Sequence, residues 1–328
     1  MWKVKNDRNN SALYAYNTRV IVPFFKLWLS VSREPDLAEK LAEDDFWEEY
    51  LQTYPIINSR FLNNNKTKAN KVKPLLAKIV LLGFTAIKTE WKLYLQQNRQ
   101  IYAGNYNIPK ENHQAPITKF FKDYLYDYYW GLDWVWTIVA GINYSRATFH
   151  NNFKKENKLT ICPYCDVDTI AATRNSSVEH FLPKDHFPLI ACNPRNLIPC
   201  CTACNMGNSG KGTEYRSPVY SQFNRQIGDD IQFKFNGIEI DILHHNDPAT
   251  ENYLGLLQLR KRYKETAIQT AVINRFTINY NMQRQIDGLV DKANFLRYVR
   301  EIGRDSGHYF VQRDLLDQAN VIILPTRL

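Results

Sequence analysis

Two Cys-x-x-Cys pairs, Cys162/Cys165 and Cys201/Cys204, constrain this chain more than any other feature. A Cys-x-x-Cys turn brings two thiolates back onto one ion. Two such turns close a tetrahedral site with no open position, the arrangement of structural zinc. The pairs take four of the six cysteines, which favours a metal over a disulfide framework or scattered buried thiols. The segment between them is long enough that it must itself fold across the gap. Cys200 is also spaced to ligate alongside Cys204. Cys201 is preferred because it repeats the two-residue spacing, which leaves Cys192 and Cys200 to pack as small apolar side chains.

Between the pairs lies SSVEHFLP, with Glu179 next to His180. Val178 and Phe181 suit a short strand that Pro183 ends. A neutral imidazole takes a proton from water at neutral pH. A carboxylate such as Glu179 is a hard oxygen ligand suited to a divalent cation such as magnesium. A Glu-His dipeptide elsewhere reads as a surface pair; inside a zinc-bracketed segment it reads as chemistry.

These residues, with Asn196-Leu197 and Asn205 after them, resemble the HNH endonucleases and their ββα-metal motif of a two-stranded hairpin followed by a helix. Within that family, VEHFLPK, FPL and NLIPCCTACN are similar to the nuclease subunits of bacterial anti-phage systems of the Septu and retron-associated type. The resemblance implies His180 as the general base for an attacking water. It implies Glu179 and Asn205 as ligands of a catalytic magnesium, with Glu179 where Asp is commoner. It implies that Asn196 fixes the loop between the strands and helps to orient His180. Lys211 then matches the basic residue that contacts phosphate, although MGNSG sets it further from Asn205 than the family pattern. Arg195 or Arg216 could supply that charge instead, and Lys184 is a further nucleic-acid contact. His186 reads as a supporting or surface residue. The expected products carry 5′-phosphate and 3′-hydroxyl ends.

The net charge of +9 fits a polyanionic partner, with DNA favoured and tRNA or another RNA as alternatives. The cysteine usage is that of a reducing, cytoplasmic compartment. The polar start lacks the apolar stretch of a leader, and apolar runs such as 79–87 are too short to span a bilayer. No Gly-rich phosphate loop is visible, so nucleotide-driven control would come from a separate ATPase subunit of a defence complex, as the resemblance suggests.

The fold class expected is α+β, predominantly α, with the zinc-stapled ββα module embedded between helical regions. The divisions expected are 1–155, 156–220 and 221–328. TRVIVPFFKLWLSV is a strand or a buried helix, and periodicity does not decide. Asp36 is the expected N-cap of an acidic helix, and the basic run 63–73 is read as a loop. Pro74 opens one long helix reaching the 102 region, with a break at Gly104 and further helix over 118–144. The aromatic rings there are mostly core, with Tyr124, Tyr128 and Trp130 as candidates for stacking on bases. The lysines of FKKENK (153–158) could flank the site. IQFKF and IEIDI around Asn-Gly read as a hairpin. Asp247-Pro248 opens a helical region whose Arg260, Lys261, Arg262 and Lys264 form a candidate phosphate-gripping cluster, and a helix with a short strand closes the chain. The competing reading is a non-catalytic zinc-stabilised nucleic-acid-binding module, which has no need of Glu179, His180, Asn196 and Asn205 together.

Overall fold

The computed structural model describes residues 1–41, 46–47, 61, 72–206 and 210–323. These form a predominantly helical α+β protein with two small two-stranded sheets. The chain divides into two compact units, one of Asn6–Phe149 with Leu182–Leu197, the other of Met1–Lys5, His150–Phe181 and Ile198–Leu328. Residues 182–197 thus fold with the helical unit, and the two cysteine pairs with the other.

The helical unit opens with α1 (Asp7–Tyr16), a wide π turn over Asn17–Ile21 and α2 (Val22–Val31). The stretch that periodicity left undecided is therefore helix. Phe24, Phe25, Leu27, Trp28 and Val31 are all buried, and a helix buried on most sides loses its 3.6-residue signature. A proline ring crowds the carbonyl four residues earlier; for Pro23 that is Arg19, inside the widened turn. Asp36 does not cap as expected. It lies at φ 55° and its side chain makes no capping bond to α3 (Leu37–Lys40). The rest of the expected acidic helix, apart from the buried Phe46 and Trp47, lies outside the described residues, as does most of the run 63–73.

The long helix expected from Pro74 is two helices, α4 (Val72–Val80) and α5 (Phe84–Tyr102). Gly83 separates them at φ 84°, a conformation that costs a glycine little and other residues much. The stretch over 118–144 is likewise segmented, into α6 (Ala115–Lys119), a π segment over Phe120–Tyr126, a short 3-10 turn and α7 (Asp133–Ala140). Its rings are core. Phe120 lies 4.7 Å from Phe24 and 5.1 Å from Trp28 between ring centroids, in the tilted and edge-on arrangements that aromatic pairs prefer. Tyr124 and Trp130 are 4% and 1% exposed, so neither is a stacking platform for bases; Tyr128 is half-buried.

The second unit takes in most of α8 (Arg146–Asn157), then β1 (Ser176–His180) paired with β2 (Leu197–Cys201), and the short helix α9 (Thr202–Asn205). The hairpin of β3 (Ile231–Phe235) and β4 (Ile240–His244) is antiparallel, with Phe235 opposite Ile240 and Ile231 opposite His244. The alternation seen in the sequence begins too early. Ile238 belongs to the loop and is 89% exposed, while the Asn236 side chain accepts from the Ile238 and Glu239 amides. Asp247 caps α10 (Pro248–Leu256) through the amides of Ala249 and Thr250. Then come α11 (Leu259–Tyr263), α12 (Thr266–Asp287), α13 (Lys292–Ser306), α14 (Tyr309–Leu315) and α15 (Ala319–Ile323). The short strand expected near the end falls outside the described residues. No described helix is long and apolar enough to cross a membrane.

The basic cluster at and just beyond α11 is engaged by acidic side chains of its own unit. Arg262 is buried and paired with Asp168, Arg260 pairs with Glu251, and Lys264 pairs with Glu239 and Asp241. The FKKENK lysines are at least partly exposed on and beyond α8, and Lys154 donates to the Ala171 carbonyl.

Candidate metal centre and the adjoining acid-histidine pair

The metal centre is built from two turns. In the first, the Asp166 amide donates to the Cys162 carbonyl and the Cys162 amide to that of Asp168. Asp166 turns the chain at φ 58°, a left-handed conformation that Asp tolerates better than most residues. In the second, Cys201 ends β2 and caps α9, its sulfur accepting from the Cys204 amide at 3.4 Å. The Sγ atoms of Cys162, Cys165, Cys201 and Cys204 all lie within 4.8 Å of one another, and all four residues are buried.

Cys165 and Cys201 Sγ are 3.8 Å apart, close to the separation of about 3.8 Å set by tetrahedral zinc–sulfur bonds of about 2.3 Å. All six cysteines are free thiols. Cys200 is outside the cluster, since alternation along a strand turns it away from the side of Cys201. Four convergent soft ligands fit an ion such as zinc. Cys192 is buried in the other unit, where burial pushes its thiol pKa up, as suits a packing residue.

Burial raises the pKa of Cys165, but hydrogen bonds from Cys162, Cys201 and Cys204 outweigh it and hold Cys165 well below the ordinary thiol value. Cys201 and Cys204 are pushed up, chiefly by their hydrogen bonds with Cys162 and Cys165. Burial works against the charge of Arg262, yet Cys165, Asp168, Cys204 and Cys201 together shift its pKa upward. The ion-pair partner of Arg262 is the Asp168 carboxylate. The two are 94 residues apart in sequence, and no local pattern around Arg262 announces the pairing.

Glu179 and His180 end β1, and α9 packs against that strand, so Asn205, exposed at the end of α9, belongs to the same ββα grouping. His180 is buried. Glu179 is partly exposed, and its Oε1 accepts from Lys211 Nζ at 2.9 Å. Lys211 is thus not held out to solvent; its side chain is 2% exposed. Its position is fixed from behind by its amide, which donates to the Cys204 carbonyl at 2.7 Å. Gly210 makes the approach possible, because a Cβ there would stand 2.1 Å from the Ala203 carbonyl oxygen.

The remaining candidates belong to the helical unit. Asn196 is fully buried. Its Oδ1 accepts from the Leu182 amide at 2.7 Å, and its Nδ2 donates to the carbonyls of Leu182 and Ile190 at 3.2 and 3.4 Å. Lys184 pairs with both Asp127 oxygens at 3.0 and 3.2 Å, and Arg195 lies over the Tyr102 ring at 5.9 Å. His186 is half-buried beside Asp185, while Arg216, in the other unit, is exposed.

No family model matches the chain, and no solved structure does. Among curated proteins it is 28% identical over 137 residues to the Septu protein PtuB of Bacillus thuringiensis, across 38% of this chain and 52% of that protein. It is 44% identical over 160 residues to protein ea31 of Escherichia phage lambda, across 48% of this chain and 52% of that protein. The chain spans about half the length of the curated relatives it matches.

Proposed function

We propose that this protein is a metal-dependent HNH endonuclease that hydrolyses phosphodiester bonds in nucleic acid, in a bacterial anti-phage defence role. The observation that carries the reading is the grouping of β1, β2 and α9. An acid-histidine pair ends the first strand, and a helix bearing Asn205 packs against that strand. Four clustered thiols tie the second strand and the helix to the turn at Cys162. The similarity to a Septu protein supports the defence role.

In this account zinc is the ion held by Cys162, Cys165, Cys201 and Cys204, and it closes the fold without entering the chemistry. Glu179 and Asn205 are the residues that would hold a divalent cation such as magnesium, which would supply charge neutralisation at the phosphate. His180, buried at the end of β1, is the base that takes the proton of the attacking water. Asn196 fixes the backbone at Leu182, two residues beyond His180, and so the course of the chain leaving the base. Lys211 is the cation beside the acid-histidine pair for the phosphate backbone, Lys184 and Arg195 are separate candidate contacts in the helical unit, and the substrate is DNA in preference to tRNA or other RNA. The reduced cysteines fit a cytoplasmic setting, and an ATPase subunit is the partner expected to gate the site.

The test is cleavage of supercoiled plasmid and, separately, of total tRNA, with magnesium and with EDTA. Magnesium-dependent cutting that leaves 5′-phosphate ends supports the nuclease, and the polymer that is cut identifies the substrate. Tight binding with neither polymer cut, by protein purified with its native partners, would instead identify a zinc-stabilised binding module.

A further inference from the structure

We propose that Lys211 is a resident place-holder for the divalent cation at Glu179, and that it releases the carboxylate to a metal only when a nucleic-acid phosphate receives its ammonium. The site would then take up cation and nucleic acid together. This rests on the reading of Glu179 as a metal ligand.

The geometry is that of a built-in counter-ion. The ammonium stands 2.9 Å from Glu179 Oε1 on a side chain that is 2% exposed. A lysine meant only for phosphate would keep its charge in water, as long basic side chains ordinarily do. The backbone on either side is pinned: the Lys211 amide to Cys204 and the Gly212 amide to Leu256 at 3.2 Å. The close approach at Gly210 excludes any side chain there, since a Cβ would also lie 2.7 Å from the Cys204 carbonyl. Lys211 is therefore anchored to the sulfur-bearing turn, while its flexible stem leaves the ammonium free to change partners. Lysine suits such an exchange because it is a compact point charge rather than a rigid bidentate fork.

The energetics follow from burial. A metal that takes Glu179 deprives a buried ammonium of its partner and sets two positive charges side by side, which is costly in a poorly hydrated site. A phosphate oxygen arriving at the same place restores a negative partner to Lys211. By linkage, whatever nucleic acid contributes to metal affinity, metal contributes equally to nucleic-acid affinity.

The experiment uses the full chain with its zinc in place and His180→Ala in every sample to keep the nucleic acid whole. Free manganese is read by electron paramagnetic resonance, without nucleic acid and with a DNA duplex or total tRNA. Lys211→Met should bind manganese about tenfold more tightly than the lysine protein without nucleic acid, and nucleic acid should tighten binding only where Lys211 is present. Glu179→Gln should abolish the site in both. Equal manganese affinity with lysine and methionine, still dependent on Glu179, overturns the proposal and leaves the metal-ligand reading standing. Manganese binding indifferent to Glu179→Gln, or no binding at all, removes that reading and the proposal with it. Zinc content and circular dichroism report folding of each variant, and Lys211→Gln replaces the methionine protein should that one lose zinc.

Discussion

Asn196 shows how much a single buried side chain can hold. Its amide serves both backbone groups of Leu182 and the carbonyl of Ile190. Asn196→Ala should therefore cost about 2–3 kcal/mol, because buried backbone groups are left without partners; an unchanged urea midpoint would contradict that. His308 gives a pH dependence. It is buried with neither ring nitrogen hydrogen-bonded, and burial, helped by Arg275, lowers its pKa from 6.5 to about 4. The unfolded chain takes up the proton first as pH falls. The stability His308 contributes is thus complete above pH 6.5 and is lost as pH falls towards 4, about 3 kcal/mol in all. Asn tolerates the φ of 63° at this position, so His308→Asn should lose less stability than the parent between pH 7 and 5, by about 2 kcal/mol. An identical loss in both proteins would refute the assignment. At this scale the sequence was informative where chemistry is written locally. Both Cys-x-x-Cys pairs form one cluster, and Cys201 rather than Cys200 is its member from that stretch. The partners of Arg262 and Lys211 were illegible because tertiary approach, not spacing, creates them.

Among elements, α9 has the greatest consequence for its size. Four residues long, it carries Cys204 and Asn205 and receives the chain at Gly210. Gly210→Ala has no room for its Cβ, and the shift required should cost about 1–3 kcal/mol. It should also weaken zinc retention against a chelator, because the displaced backbone includes Cys204; a variant as stable and as zinc-tight as the parent would show that the approach is not essential. Strand and helix were legible to different degrees. The β3–β4 hairpin was visible from its two-residue period. Its start was misplaced at Ile238 because a loop residue extended the same alternation. The α4–α5 break was hidden by an apolar run continuous through Leu81 and Leu82, and only the φ of Gly83 ends it. The π turns over Asn17–Ile21 and Phe120–Tyr126 have no signature in hydrophobic period.

For the molecule as a whole, the charge and the sulfur cluster carry different weight. The net charge of +9 is a weak guide to any polyanion-binding surface, since Arg260, Arg262 and Lys264 are paired internally. With zinc bound, as proposed, the cluster would carry much of the second unit's folding free energy. A structural zinc contributes on the order of 10 kcal/mol, comparable to the whole stability of a typical domain. Cys165→Ser should therefore lose zinc and the cooperative melting of that unit, and a stable zinc-free variant would refute the stapling role. Whether the end of β1 is catalytic is read from the plasmid-nicking rate in magnesium, parent against His180→Ala, with zinc content and melting temperature matched. A fall of about a hundredfold or more is expected in the variant, with fold and zinc unchanged. Equal nicking rates would remove His180 from the mechanism and with it the nuclease reading of this site.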